Sequence, residues 1–129
     1  MKRLILTAAA AVALALPALA EPVLGHWRTA PDDNGNTGIV EIVACEDRVC
    51  GTLIEAFDGN GQAMSSPNVG RRIIWDMEPD GNGRYRNGRV WAPDRDQTYN
   101  ARMQMEGERL TVSGCVLVFC RDAIWTRAR

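Results

Sequence analysis

The 129-residue chain has one imidazole, His26, and any Ser–His–Asp or Cys–His relay would have to be built on it. It sits in Gly25-His26-Trp27, where Trp27 is the core candidate and strand alternation turns His26 to the opposite, exposed face. The four cysteines, Cys45, Cys50, Cys115 and Cys120, form two C-x4-C pairs. Zinc pairs favour tighter C-x2-C spacing and a histidine complement that this chain lacks, so no metal site is expected. Four intervening residues can instead turn the chain and bring the flanking Cα atoms to the ~5.5 Å that a disulfide prefers. The spacing favours Cys45–Cys50 and Cys115–Cys120 as structural bonds, leaving no thiol nucleophile. A longer pairing such as Cys45–Cys115 stays open.

The carboxylates of Asp32, Asp33, Asp58, Asp80, Asp94 and Asp96 all lie in Gly- or Pro-rich segments, where Asp is favoured for bonding its own backbone. Asp58-x-Asn60-x-Gln62 and Asp80-x-Asn82 begin like calcium loops, but the positions of the closing Glu hold Val69 and Trp91. No cofactor is expected, and the chain reads as a non-enzyme. An enzyme would require a polar cleft where two carboxylates converge with an arginine.

Aromatic residues carry the stronger signal. Four Trp and two Tyr accompany only two Phe. Rigid rings on the inner face of a small domain can grip an apolar ligand with little loss of rotational freedom. Trp75, Tyr85, Trp91, Tyr99 and Met103 are the candidate ligand-binding set; the competing reading is that they fill a small core. Arg127 shares a strand face with Trp125. Stacked on Trp27, it would staple the last strand to the first through a cation–π contact.

Lys2-Arg3, the apolar run Leu4 to Leu16 and Ala18-Leu19-Ala20 have the form of a signal peptide with cleavage after Ala20. The run is short of the roughly 20 residues that span a membrane, and no second one follows, so no stable span is expected after cleavage. The expected compartment is periplasmic or secreted, which suits an even cysteine count. Residues 21–129 then form one domain. Loss of Lys2 and Arg3 reduces 15 basic residues to 13 against 16 acids, a formal charge of −3. That balance gives no field for steering polyanions, so nucleic acid is not an expected partner.

This domain reads as eight short strands separated by turn residues. They are Leu24–Thr29, Gly38–Cys45, Cys50–Phe57, Arg72–Glu78, Tyr85–Trp91, the alternating run Tyr99 to Met105, the run around Leu110 and Val112, and Ala123–Ala128. In the fourth, alternation places Ile73, Trp75 and Met77 on one face. Hairpin-length links predict an all-β, eight-stranded antiparallel up-and-down barrel, with a two-sheet β-sandwich as the alternative. Closure removes the exposed edges of an open sheet. An eight-stranded barrel is filled by side chains or holds one small ligand.

The ordered motifs Gly25-x-Trp27, Ile42-x2-Cys45-x4-Cys50-Gly51 and Tyr85-x2-Gly88-Arg89-Val90-Trp91-x-Pro93 carry a resemblance. So do Thr98-Tyr99, Leu110-x-Val112-x-Gly114-Cys115 and Cys120-Arg121-x3-Trp125-Thr126-Arg127. Over the whole mature chain the sequence resembles the bacterial domain of unknown function 2147 family of small exported proteins. The segment from Gly59 to Gly70 departs most from that pattern. The resemblance implies a lipocalin- or calycin-like barrel and no established activity.

These features support two functional expectations. The first is a binding module for a small hydrophobic or aromatic ligand or an envelope component. The second is an interaction module that binds an envelope protein through the apolar loop Val116-Leu117-Val118-Phe119, provided that loop does not fold back over the barrel end.

Overall fold

Turn chemistry divides the chain into strands. Gly35, Gly61, Gly81, Gly83 and Gly107, with Asn82, take positive φ between the runs, as tight links require. In the computed structural model, which describes residues 21–129, the strands are β1 (Gly25–Arg28), β2 (Thr37–Cys45), β3 (Arg48–Phe57) and β4 (Arg72–Pro79). They continue with β5 (Arg84–Ala92), β6 (Gln97–Glu106), β7 (Arg109–Val116) and β8 (Phe119–Arg127). The expected signal segment lies outside the described residues. Each strand pairs antiparallel with the next, and β8 returns to β1, closing the barrel and excluding the sandwich.

The closing seam is short. Only Trp27↔Arg127 and Arg28↔Thr126 are in register between β1 and β8. Side chains reinforce it: the Arg127 guanidinium lies 4.2 Å from the Trp27 ring centre and donates to the carbonyls of Leu24 (2.9 Å) and Pro22 (2.8 Å). Trp27 is fully buried and donates from Nε1 to the Val23 carbonyl (2.8 Å). These bonds fix residues 21–24 as a plug over one end of the barrel, where Val23 is fully buried. The plug carries no periodic signal in the sequence.

Both cysteine pairs are bonded locally. Cys115 and Cys120 face each other across β7 and β8, whereas Cys45 and Cys50 meet diagonally across β2 and β3. The β7–β8 ladder runs past its disulfide to Val116↔Phe119, so β8 begins four residues before the expected Ala123. Only Leu117 and Val118 form the turn, with Leu117 at positive φ.

Strand β4 breaks the expected alternation. Its pairing with β3 slips twice, between Val49 and Gly51 and again before Thr52, and Asp76 adopts a left-handed backbone (φ 56°). Each slip adds a residue and reverses the facing of the residues beyond it. Ile73, Ile74 and Met77 are therefore buried, while Trp75 is only half-buried. Asn87 (φ 59°) makes the matching bulge in β5, so β4 and β5 stay in register with each other. Gly88 is needed there, since a Cβ would stand 2.9 Å from the Trp75 carbonyl oxygen and overlap the Met77 sulfur.

Replacing Arg127 removes a ring contact and strands two carbonyls at once. Arg127→Ala is expected to lower stability by about 2–4 kcal/mol in urea unfolding. Arg127→Lys should recover less than half of that, because an ammonium cannot present the planar fork.

Candidate functional site

The end of the barrel opposite the plug is open. It is ringed by the β1–β2, β3–β4, β5–β6 and β7–β8 connections and leads to a cavity of about 930 Å³. That volume lies within the roughly 300–1,000 Å³ of small-molecule sites. Val40, Leu53, Val90, Trp91, Tyr99 and Trp125 make its wall largely apolar, contributed by β2, β3, β5, β6 and β8. Gly114 keeps the wall open, since a Cβ there would press on Val90 at 3.3 Å and on Tyr99 at 3.4 Å.

Two of the five candidate ligand-binding residues, Trp91 and Tyr99, meet in this cavity. The Trp91 ring is held by Arg71, whose guanidinium lies 3.6 Å from its centre, and by a hydrogen bond from Nε1 to Asp96 Oδ1 (3.0 Å). Tyr85 and Met103 are buried but sit in the opposite half, away from this cavity. There the Tyr85 hydroxyl donates to Glu21 Oε2 of the plug (2.7 Å). Trp75 does not line the cavity, because the β4 bulge turns it away from the axis.

The mouth is polar, and sequence reading missed its arrangement because its members lie far apart along the chain. Asp33 on the β1–β2 loop bridges two arginines. Its Oδ2 lies 3.2 Å from Arg95 Nη2 and its Oδ1 lies 3.7 Å from Arg121 Nη2. The Asp33 backbone N–H donates to Asp94 Oδ2 (3.1 Å). The hydroxyl of Tyr99 first, and then Asp33, push the Arg95 pKa up and hold it as a cation. Two carboxylates and an arginine thus converge, as an enzyme would need. Both carboxylates are engaged, however, and Asp33 and Arg95 are exposed rather than set in a dry cleft.

His26 lies on the outside, half-buried, with Nε2 3.3 Å from Glu41 Oε2. Among the described residues, no group of three or more His, Cys, Asp or Glu side chains could hold a metal ion, and no helix is long and apolar enough to cross a membrane. Beside the mouth, the disulfide-closed hairpin tip stands out into solvent. Leu117 is 88% exposed, Val118 86% and Phe119 78%. The tip does not fold over the opening, although Val116 and Phe119 edge the cavity.

The profile of the family described as "Uncharacterized protein conserved in bacteria (DUF2147)" matches residues 25–127, the whole barrel from the start of β1 to the end of β8. The chain belongs to this family. The DUF2147 barrel is also similar to a solved structure described as "Protein HP1028 from the human pathogen Helicobacter pylori belongs to the lipocalin family". The TM-score is 0.69 at 15% identity, with 85% of each chain covered. At that identity the likeness establishes a lipocalin-like fold. No match was found among curated protein sequences.

In this DUF2147 chain, burial first and the Glu21 carboxylate second push the Tyr85 hydroxyl well above its ordinary pKa. A raised folded-state pKa means that its contribution is complete below about pH 10, the unfolded value. It is lost as pH climbs toward the folded value. Urea unfolding followed from pH 7 upward should therefore show stability falling above about pH 10. Tyr85→Phe should flatten that fall, at a cost of about 1 kcal/mol at neutral pH.

Proposed function

We propose that the mature protein is an exported, non-catalytic binding module that holds one small apolar or aromatic ligand inside the barrel. The observation carrying this reading is the cavity of about 930 Å³ with its largely apolar wall. A domain built only to be stable would fill that space, because empty volume in a core is destabilising. The ring faces of Trp91, Tyr99 and Trp125 supply rigid contact area, and the lipocalin-like fold supports the assignment by analogy. Two disulfides in a bacterial family support a periplasmic or secreted location. A neutral, environment-sensitive apolar dye tests the reading. It should bind one per chain, and Ala56→Phe, which adds a ring to the cavity wall, should weaken binding at least ten-fold without lowering Tm. Absence of dye binding to the wild type would count against a ligand cavity.

The exposed tip favours a second reading, contact with an envelope protein. Leu117 and Val118 protrude without lining the cavity, and the disulfide beneath them fixes their shape. Leu117→Asn with Val118→Ser should abolish co-purification of such a partner from the periplasm while Tm and dye binding stay as in the wild type. Asn suits the positive φ at position 117.

A further inference from the structure

The polar mouth and the apolar cavity have complementary requirements. A ligand with an apolar body occupies the wall formed by Trp91, Tyr99 and Trp125, and its end then lies at the opening, among Asp33, Arg95 and Arg121. Asp33 places one carboxylate between two guanidinium groups, with one oxygen toward each. The bridge joins three separate elements: the β1–β2 loop, the β5–β6 turn and the start of β8. Two arginines from different elements that share one carboxylate are shaped to receive a carboxylate, whichever molecule supplies it.

The other rim carboxylates do not compete for this position. Asp32 Oδ1 accepts from the backbone N–H groups of Asn34 and Asn36, which shapes its own loop. Asp94 Oδ2 accepts the Asp33 N–H, and Asp122 Oδ1 accepts the Ser113 hydroxyl at 2.6 Å. Asp33 is thus the rim carboxylate paired with both arginines. Its side chain and both guanidinium groups are exposed, so the bridge is a weak, exchangeable one.

We propose that Arg95 and Arg121 form the seat for the carboxylate of an apolar acid whose body fills the cavity, and that Asp33 holds this seat until the ligand displaces it. This rests on the cavity-binding reading above and specifies its ligand class. The Asp33 carboxylate is released from both arginines when the acid binds, while the Asp33 N–H keeps the β1–β2 loop tied to Asp94 of the β5–β6 turn. An apolar alcohol of the same length leaves the bridge intact and gains nothing from it.

The test compares decanoate, decan-1-ol and decylamine, titrated calorimetrically at neutral pH into the oxidised, mature chain. Decanoate is the more water-loving of the first two, so simple partition into an apolar space would favour the alcohol. The proposal expects the acid to bind at least ten-fold more tightly than the alcohol and the amine to bind most weakly. Arg95→Gln with Arg121→Gln should bring the acid-to-alcohol ratio to about one or below. Asp33→Asn, which removes the competing charge and keeps the shape, should raise that ratio at least three-fold. Equal binding of acid and alcohol to the wild type, or an acid preference that survives the double arginine change, overturns the seat and leaves the cavity reading standing. Failure of all three compounds to bind overturns both.

Discussion

Closure of an eight-stranded meander sets its first and last strands side by side, and here that junction depends on Trp27 and Arg127. The backbone contributes only two registered residue pairs across the seam. Arg127 adds a face-on contact with Trp27 and two hydrogen bonds to the segment before β1. Its charge is itself balanced at the surface by Glu108, 3.8 Å away. The same contacts that close the cylinder also stop one end of it, because the carbonyls they capture belong to Pro22 and Leu24. Closing the wall and sealing the base are therefore one event, and the free space is left at the other end.

That polarity organises the chemistry. Tyr85, Met77, Met103 and Leu110 are buried residues of the core, and the Tyr85 hydroxyl reaches Glu21 of the plug. Small residues such as Ala56 and Gly114 keep the open half hollow. The open half is where connections between strands meet, and loops tolerate the charged residues a buried wall excludes. An apolar chamber under a charged rim results from one end being plugged and the other left to its turns.

Much of this architecture could be read in the chain. Turn residues marked the strand boundaries, the clean alternation of Tyr99, Ala101 and Met103 marked a half-buried strand, and equal cysteine spacings suggested local bonds. What could not be read was geometry that depends on an extra residue or on depth. Two slips of β4 against β3, one of them at the left-handed Asp76, change which of its side chains face inward, and alternation carries no warning of them. Alternation separates inside from outside but not top from bottom, since height along the axis is set by strand tilt and stagger. Trp91 and Tyr99 therefore reached the cavity, whereas Tyr85 and Met103, equally inward, fell below it. The Asp33–Arg95 and Asp33–Arg121 pairs join residues far apart along the chain and leave no local trace.

The two disulfides have a mechanical consequence. Each ties a strand to its immediate neighbour, β2 to β3 and β7 to β8, and neither crosses between β1 and β8. The covalent bonds stiffen two staves of the cylinder and leave its junction purely non-covalent. Oxidation thus protects the hairpins without locking the wall, whose junction rests on the two residues of β1, Trp27 and Arg28, that pair with β8. One edge of that junction leads directly into the β1–β2 loop at the mouth. Reducing both disulfides would therefore free two strand pairs while leaving the contacts that close the cylinder in place.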